Sequence, residues 1–178
     1  DSVEEFRQVT QRSLERLVAL GDDEWERIGW SPEGEAPYHR FMETRLLDSW
    51  IHLQDIRDGL AMPSDDHGVG EEVVLNRFEA ALPYVIGKRA QAPEGSRIRV
   101  NITGRLARTT DIVVRDGRAV AADTAGEPLL EITTPAAIFW RRAAGRITAA
   151  AFLEASATDV RGDRDIARRI AEGLAIMI

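Results

Sequence analysis

Three residues in the stretch Thr44 to Leu60, TRLLDSWIHLQDIRDGL, have types and spacing that could do chemistry. Asp48 and His52 stand four apart, and Asp55 follows His52 by three. On an α-helix those intervals stack side chains on one face. A carboxylate and an imidazole so placed can offer oxygen and nitrogen to one cation, which is half of a metal site. The same spacing also suits an ordinary surface pair, worth a few tenths of a kcal/mol. Two ligands are fewer than a catalytic zinc takes; it usually has three protein ligands and one position for water. Asp55 has two readings. It orients the His52 ring, as a metal-bound imidazole requires, or it forms a salt bridge with Arg57, Arg45 or another cation.

The other histidines do not complete such a site. His39 precedes Asp48 by nine residues, about two and a half helical turns, so both cannot reach one ion from the same helix. It reads as an exposed residue at a helix start. His67, in the run SDDHG with Asp65 and Asp66, reads as part of a solvated loop able at most to hold an adventitious cation. Arg45, one turn before Asp48, is expected to pair with it.

Composition narrows the classes. The chain has 178 residues, 44% hydrophobic and 30% charged, as in ordinary globular domains. A net charge of −7 disfavours a general nucleic-acid binder, which needs a basic stripe. With no cysteine, there is no disulfide, no Cys-based zinc site and no thiolate nucleophile, so any thiol must be external. No apolar run approaches a membrane span and no signal-peptide pattern opens the chain; a cytoplasmic location is expected. The first residue is Asp1 rather than Met, directly on a helical pattern, so an N-terminal part is expected upstream.

Around the Asp-His stretch, hydrophobic periodicity predicts the positioning elements. Ser2 to Leu20 reads as a helix with a Ser2/Glu5 capping box, ended by Gly21. Asp22 to Pro37 reads as a loop, with Trp25 and Trp30 covering the core. The central helix runs from Tyr38 to Leu60, with Leu46, Leu47, Trp50, Ile51, Leu53 and Ile56 as its apolar positions. Met62 to Gly70 is a loop, and a third helix spans Glu71 to Ile86, where Pro83 kinks or shortens it. Ala90 to Ser96 is a linker. Beyond it the period becomes two: Arg97 to Thr103 and Thr109 to Val114 are strands, and Asp116-Gly117 is a hairpin turn into Arg118 to Asp123. Leu129 to Thr133 is a fourth strand, and Thr134-Pro135 start a helix that stops at Gly145. Ala149 to Ala155 is a short helix, Ala157 to Val160 a last strand, and Gly162-Asp163 cap a final helix reaching Leu174 and Ile176. The fold class is α+β: a partial helical bundle, 1–90, then a small domain, 96–178, with a mostly antiparallel sheet and helices on one face.

The order of RLLDSWIHLQDIRDGLA, ALPYVIGKRAQAPEGSRI and ITGRLARTTDIVV resembles the mycothiol-dependent maleylpyruvate isomerase family of actinobacteria. That family joins a DinB-like metal-binding bundle to a domain like sterol carrier protein type 2, and the ending from EITTPAAIFW onward resembles the latter. The resemblance implies a ligand set of a His on the first bundle helix, then an acidic residue and a His four apart on a later helix. Asp48 and His52 match the second and third. Asp stands where the family has Glu, and the first His has no counterpart in these residues. The implied cofactors are a divalent metal, zinc-like by its N/O donors, and mycothiol as co-substrate. The implied activity is isomerisation of a small electrophilic substrate, or thiol transfer to it. A C-terminal-domain Arg assists the resembled reaction; Arg105 and Arg108 lie in the strand region, but no motif places either in that role. Two alternatives stand beside it: a non-catalytic module that binds an apolar ligand between sheet and helices, and a homodimer formed through a bare bundle face.

Overall fold

The structure is a computed structural model, described for residues 1–178 except Glu33, Asp66, His67, Asp123, Thr124, Ala125 and Ile178. The Asp66-His67 part of the loop cation reading and the Asp123 end of the third strand therefore lie outside the described residues. The chain forms two compact units, Asp1–Asp48 and Ser49–Ile178.

In the first unit, α1 spans Ser2–Val18. Its cap is Asp1, not Ser2: the Asp1 carboxylate accepts from the Val3 N–H at 3.0 Å, relieving one of the unpaired amides of the first turn. The helix closes at Ala19, two residues before Gly21. The stretch read as loop contains a short helix α2, Asp22–Trp25, and a hairpin of β1, Ile28–Ser31, with β2, Gly34–Pro37. Pro32 and Gly34 punctuate only its turn, where Gly34 takes φ +109° and Ser31 Oγ donates to the Gly34 carbonyl at 2.7 Å. Helix α3 follows at once, Tyr38–Gly59. Trp25 is partly covered by stacking on Tyr38, at 5.5 Å between rings, and Tyr38 stacks on Phe41 at 6.0 Å. Trp30 overturns its expected burial, being 76% exposed. It sits on a two-stranded ribbon, which has no large buried face to offer.

The second unit has the packed core. From α3 it takes Trp50, Ile51 and Gln54, which are buried, whereas Leu53, Ile56 and Leu60 are exposed. The mixed spacing of apolar residues on α3 thus divides between two faces. The buried Gln54 amide holds the next loop, accepting from Asp65 N–H at 2.9 Å and donating to Asp65 O at 3.4 Å. Helix α4 covers Val69–Ala80; α5, Leu82–Tyr84, passes into a π-helical turn, Val85–Arg89. The expected helix to Ile86 is broken at the Pro83 that was to kink or shorten it. Pro83 lacks an N–H and interrupts the ladder, and the chain recloses with a wide Ala90 N–H to Val85 O bond of 2.8 Å.

Strands β3 (Arg97–Thr103), β4 (Arg108–Arg115), β5 (Arg118–Ala121), β6 (Leu130–Pro135) and β7 (Asp159–Gly162) form one sheet in the order β5-β4-β3-β6-β7. Only β3 and β6 pair in parallel, so the sheet is mostly antiparallel and the class is α+β. Asp116 and Gly117 take φ +53° and +71°, the left-handed pair a two-residue hairpin needs. Ile98, Val100, Ile102, Ile112, Leu130 and Ile132 bury one face. On the other, strand register aligns Asp111, Arg99, Glu131 and Arg161 in a row of alternating charge, with Arg99 bonded to Asp111 twice at 2.9 Å.

Helix α6, Ala136–Ala143, begins one residue later than expected. Thr134 stays in β6 and its hydroxyl pairs with Thr158 at 2.9 Å instead of capping. Trp140 meets Trp50 edge-on at 5.1 Å, and Arg141 lies 4.3 Å over the Trp140 ring. Helix α7 is Ala149–Glu154, and α8 is Arg164–Gly173, capped by Asp163 at 2.9 and 3.0 Å. Among the described residues, no helix is long and apolar enough to cross a membrane.

Candidate functional site

Helix α3 carries the three singled-out residues. Asp48 is the last residue of the first unit, while His52 and Asp55 belong to the second. Asp48 and His52 are both exposed. His52 Nδ1 lies 3.3 Å from Asp55 Oδ2, and Asp55 also binds Arg146, at 2.9 Å to Nε and 2.6 Å to Nη2. Asp55 thus contacts the imidazole and forms a bidentate ion pair with Arg146. The Arg146 hydrogen bonds and charge hold its carboxyl below the ordinary 3.8, against partial burial, with His52 adding in the same sense. Arg146 lies 91 residues from Asp55, so no sequence spacing announces it.

Among the described residues no three His, Cys, Asp or Glu side chains are grouped to hold a metal. Asp55 is committed to Arg146. The donor set present does not by itself fit a catalytic metal centre. Arg45 lies 6.0 Å over Phe41 rather than pairing with Asp48. Arg105 and Arg108 are tied to α4: Arg105 to buried Glu71 at 2.8 Å, and Arg108 to Glu79 at 3.1 Å and to Asn76.

A second site is a pocket of ≈ 620 Å³ wholly within the first unit. Leu17 of α1, Leu20 just beyond it, Ile28 and Trp30 of β1, and Tyr38, Phe41 and Met42 of α3 supply most of its apolar wall. Arg16, Arg27, Arg45 and Glu24 supply charge. The elements explain the convergence. The last two turns of α1 bring Ser13, Arg16 and Leu17 to one side, with Leu20 following the helix end, and the Tyr38 N–H to Arg27 O bond of 3.0 Å fastens the start of α3 to the hairpin. Sequence reading singled out only Arg45 and Trp30 of this wall. Their companions carry no motif; amphipathicity of α1 was the one available signal.

No family model matches the sequence, and no curated protein matches it. Among solved structures, the chain is similar to a UbiJ-SCP2 ubiquinone synthesis protein, with 14% identity over 58% of this chain and 95% of that one, TM-score 0.44. It is also similar to sterol carrier protein 2 from Yarrowia lipolytica, with 12% identity over 57% and 88%, TM-score 0.42. A third likeness is to sterol carrier protein 2 like 2 from Aedes aegypti, with 14% identity over 55% and 97%, TM-score 0.40. At superpositions this loose, the likenesses place no residue and no ligand.

Proposed function

We propose that the chain is a small-molecule binding module whose ligand occupies the pocket of the first unit. The observation that carries this reading is the pocket itself. Its ≈ 620 Å³ falls within the roughly 300–1,000 Å³ of ordinary ligand sites, and apolar walls with a few polar groups are what such sites present. Tyr38 and Phe41, whose rings stack at 6.0 Å, give its wall aromatic surface. Titration of the full chain with naphthalene-2-methanol, followed by tryptophan fluorescence, tests the reading. Saturable one-to-one binding, lost in Ala36→Trp at unchanged stability, is expected; equal binding by that variant would refute the assignment.

One observation favours a second reading. The Asp55 carboxylate faces His52 Nδ1 at 3.3 Å, the kind of contact that orients a metal-bound imidazole. In that reading Asp48 and His52 are two ligands of a zinc-like ion, the third donor comes from beyond the described residues, and an external thiol such as mycothiol joins a small electrophile. The metal would supply Lewis-acid chemistry; this chain would supply ligation by Asp48 and His52, with Asp55 holding the ring. Calorimetric titration with zinc separates the readings: one tight site lost in both Asp48→Ala and His52→Ala supports the metal, and no difference between those variants and the parent counts against it.

A further inference from the structure

We propose that the ligand of the first-unit pocket is an anion, a small carboxylate with an aromatic or aliphatic body. This inference rests on the pocket being a binding site and adds the charge of what enters. The first unit contains twelve acidic and six basic residues, so its overall field is negative. Yet three of those six cations, Arg16, Arg27 and Arg45, line this one apolar pocket.

Their pairing is the second observation. Of the other three basic residues, Arg7 lies 3.8 Å from Glu4 and Arg40 2.9 Å from Glu43, while Arg12, away from the pocket, donates to the Gln8 carbonyl at 3.3 Å. Among the described residues, neither Arg16 nor Arg27 forms an ion pair, and Arg45 makes its contact with the Phe41 ring. The single carboxylate of the wall, Glu24, is engaged locally: its Oε2 accepts from the Gly21 N–H at 3.0 Å and serves the start of α2. Like charges gathered beside low-dielectric walls repel one another and raise the local potential, which an entering anion relieves. Guanidinium groups also present paired N–H donors that match a carboxylate edge. A neutral apolar ligand would use the walls and leave the three cations without a counter-charge.

The test compares 2-naphthoate with naphthalene-2-methanol, which share a ring body and differ in charge, on the full chain at low salt. The carboxylate should bind about tenfold or more tightly than the alcohol, and the preference should shrink as salt screens the arginines. Arg16→Gln, Arg27→Gln and Arg45→Gln should each weaken the carboxylate several-fold more than they weaken the alcohol, and Arg27→Lys should recover part of that difference. Glu24→Gln, whose amide oxygen can still accept from Gly21, should tighten the carboxylate. Circular dichroism confirms that each variant is folded. If both probes bind equally, or the alcohol binds better, the anion proposal fails and the binding site stands. If neither binds, both fall.

Discussion

The two units of this chain use apolar residues in opposite ways. From Ser49 onward, side chains such as Ile51, Phe78, Ile98, Phe139, Trp140, Phe152 and Ile170 are almost wholly removed from water. Before it, no apolar side chain among the described residues is buried, and Phe6, Leu14, Val18, Ile28 and Trp30 are exposed. The second unit spends its hydrophobic surface on a core; the first arranges part of its own around a pocket. Burial on the former scale drives folding, whereas apolar surface left open around a cavity is available for a ligand. Under the proposed function, stability and binding belong to different stretches of one sequence.

The largest effect should come from the core. Trp140→Ala removes the edge-on contact to Trp50 and the ring beneath Arg141, and should cost about 3–5 kcal/mol. Leu14→Ala, on exposed α1, should stay within about 0.5 kcal/mol. Urea unfolding midpoints at constant m compare the two, and similar losses would break the contrast between the units. Gly162→Ala should come next, at about 2–4 kcal/mol by the same measurement. Gly162 has φ +106°, and an added Cβ would stand 2.1 Å from the Leu129 carbonyl oxygen, so β7 must move away from the chain entering β6.

Arg146→Gln should have a smaller, pH-dependent effect. Asp55 has a folded-state pKa below its unfolded value of 3.8, so the pair stabilises above that value and the contribution is lost as pH falls through the lower folded value. Both side chains keep partial solvent exposure, which limits the loss at neutral pH to about 1 kcal/mol. Urea unfolding at about pH 7 and again in acid should show that difference between parent and variant shrink as pH falls. A difference undiminished in acid would mean that Arg146 acts through packing instead of charge.

Local chemistry was legible in the sequence where one short-range rule decided the outcome. Alternation from Arg97 to Thr103 marked β3, Asp116-Gly117 marked the β4–β5 hairpin, and Asp163 marked the start of α8. Pro83 announced the break that ends α4 early. The stretch from Asp22 to Pro37 was less legible, because two strands of four residues bounded by Pro and Gly carry too little periodicity to separate from loop. Thr134 looked like a cap because its pairing with Thr158, across the sheet, is not written in neighbouring residues. The sites divide in the same way. Asp55 beside His52 follows from helical spacing, while Arg146 reaches Asp55 by tertiary folding alone. Arg16, Arg27 and Arg45 come from three separate elements, and only the folded first unit brings them to one wall.

The most direct measurement is a backbone and methyl chemical-shift map of the full chain titrated with 2-naphthoate. Binding in the first unit should move resonances of residues that line its pocket, Leu17, Leu20, Ile28, Tyr38, Phe41 and Met42 among them, to saturation. Saturating shifts confined to core residues of the second unit, such as Ile98, Ile132, Phe139 and Phe152, would contradict the account.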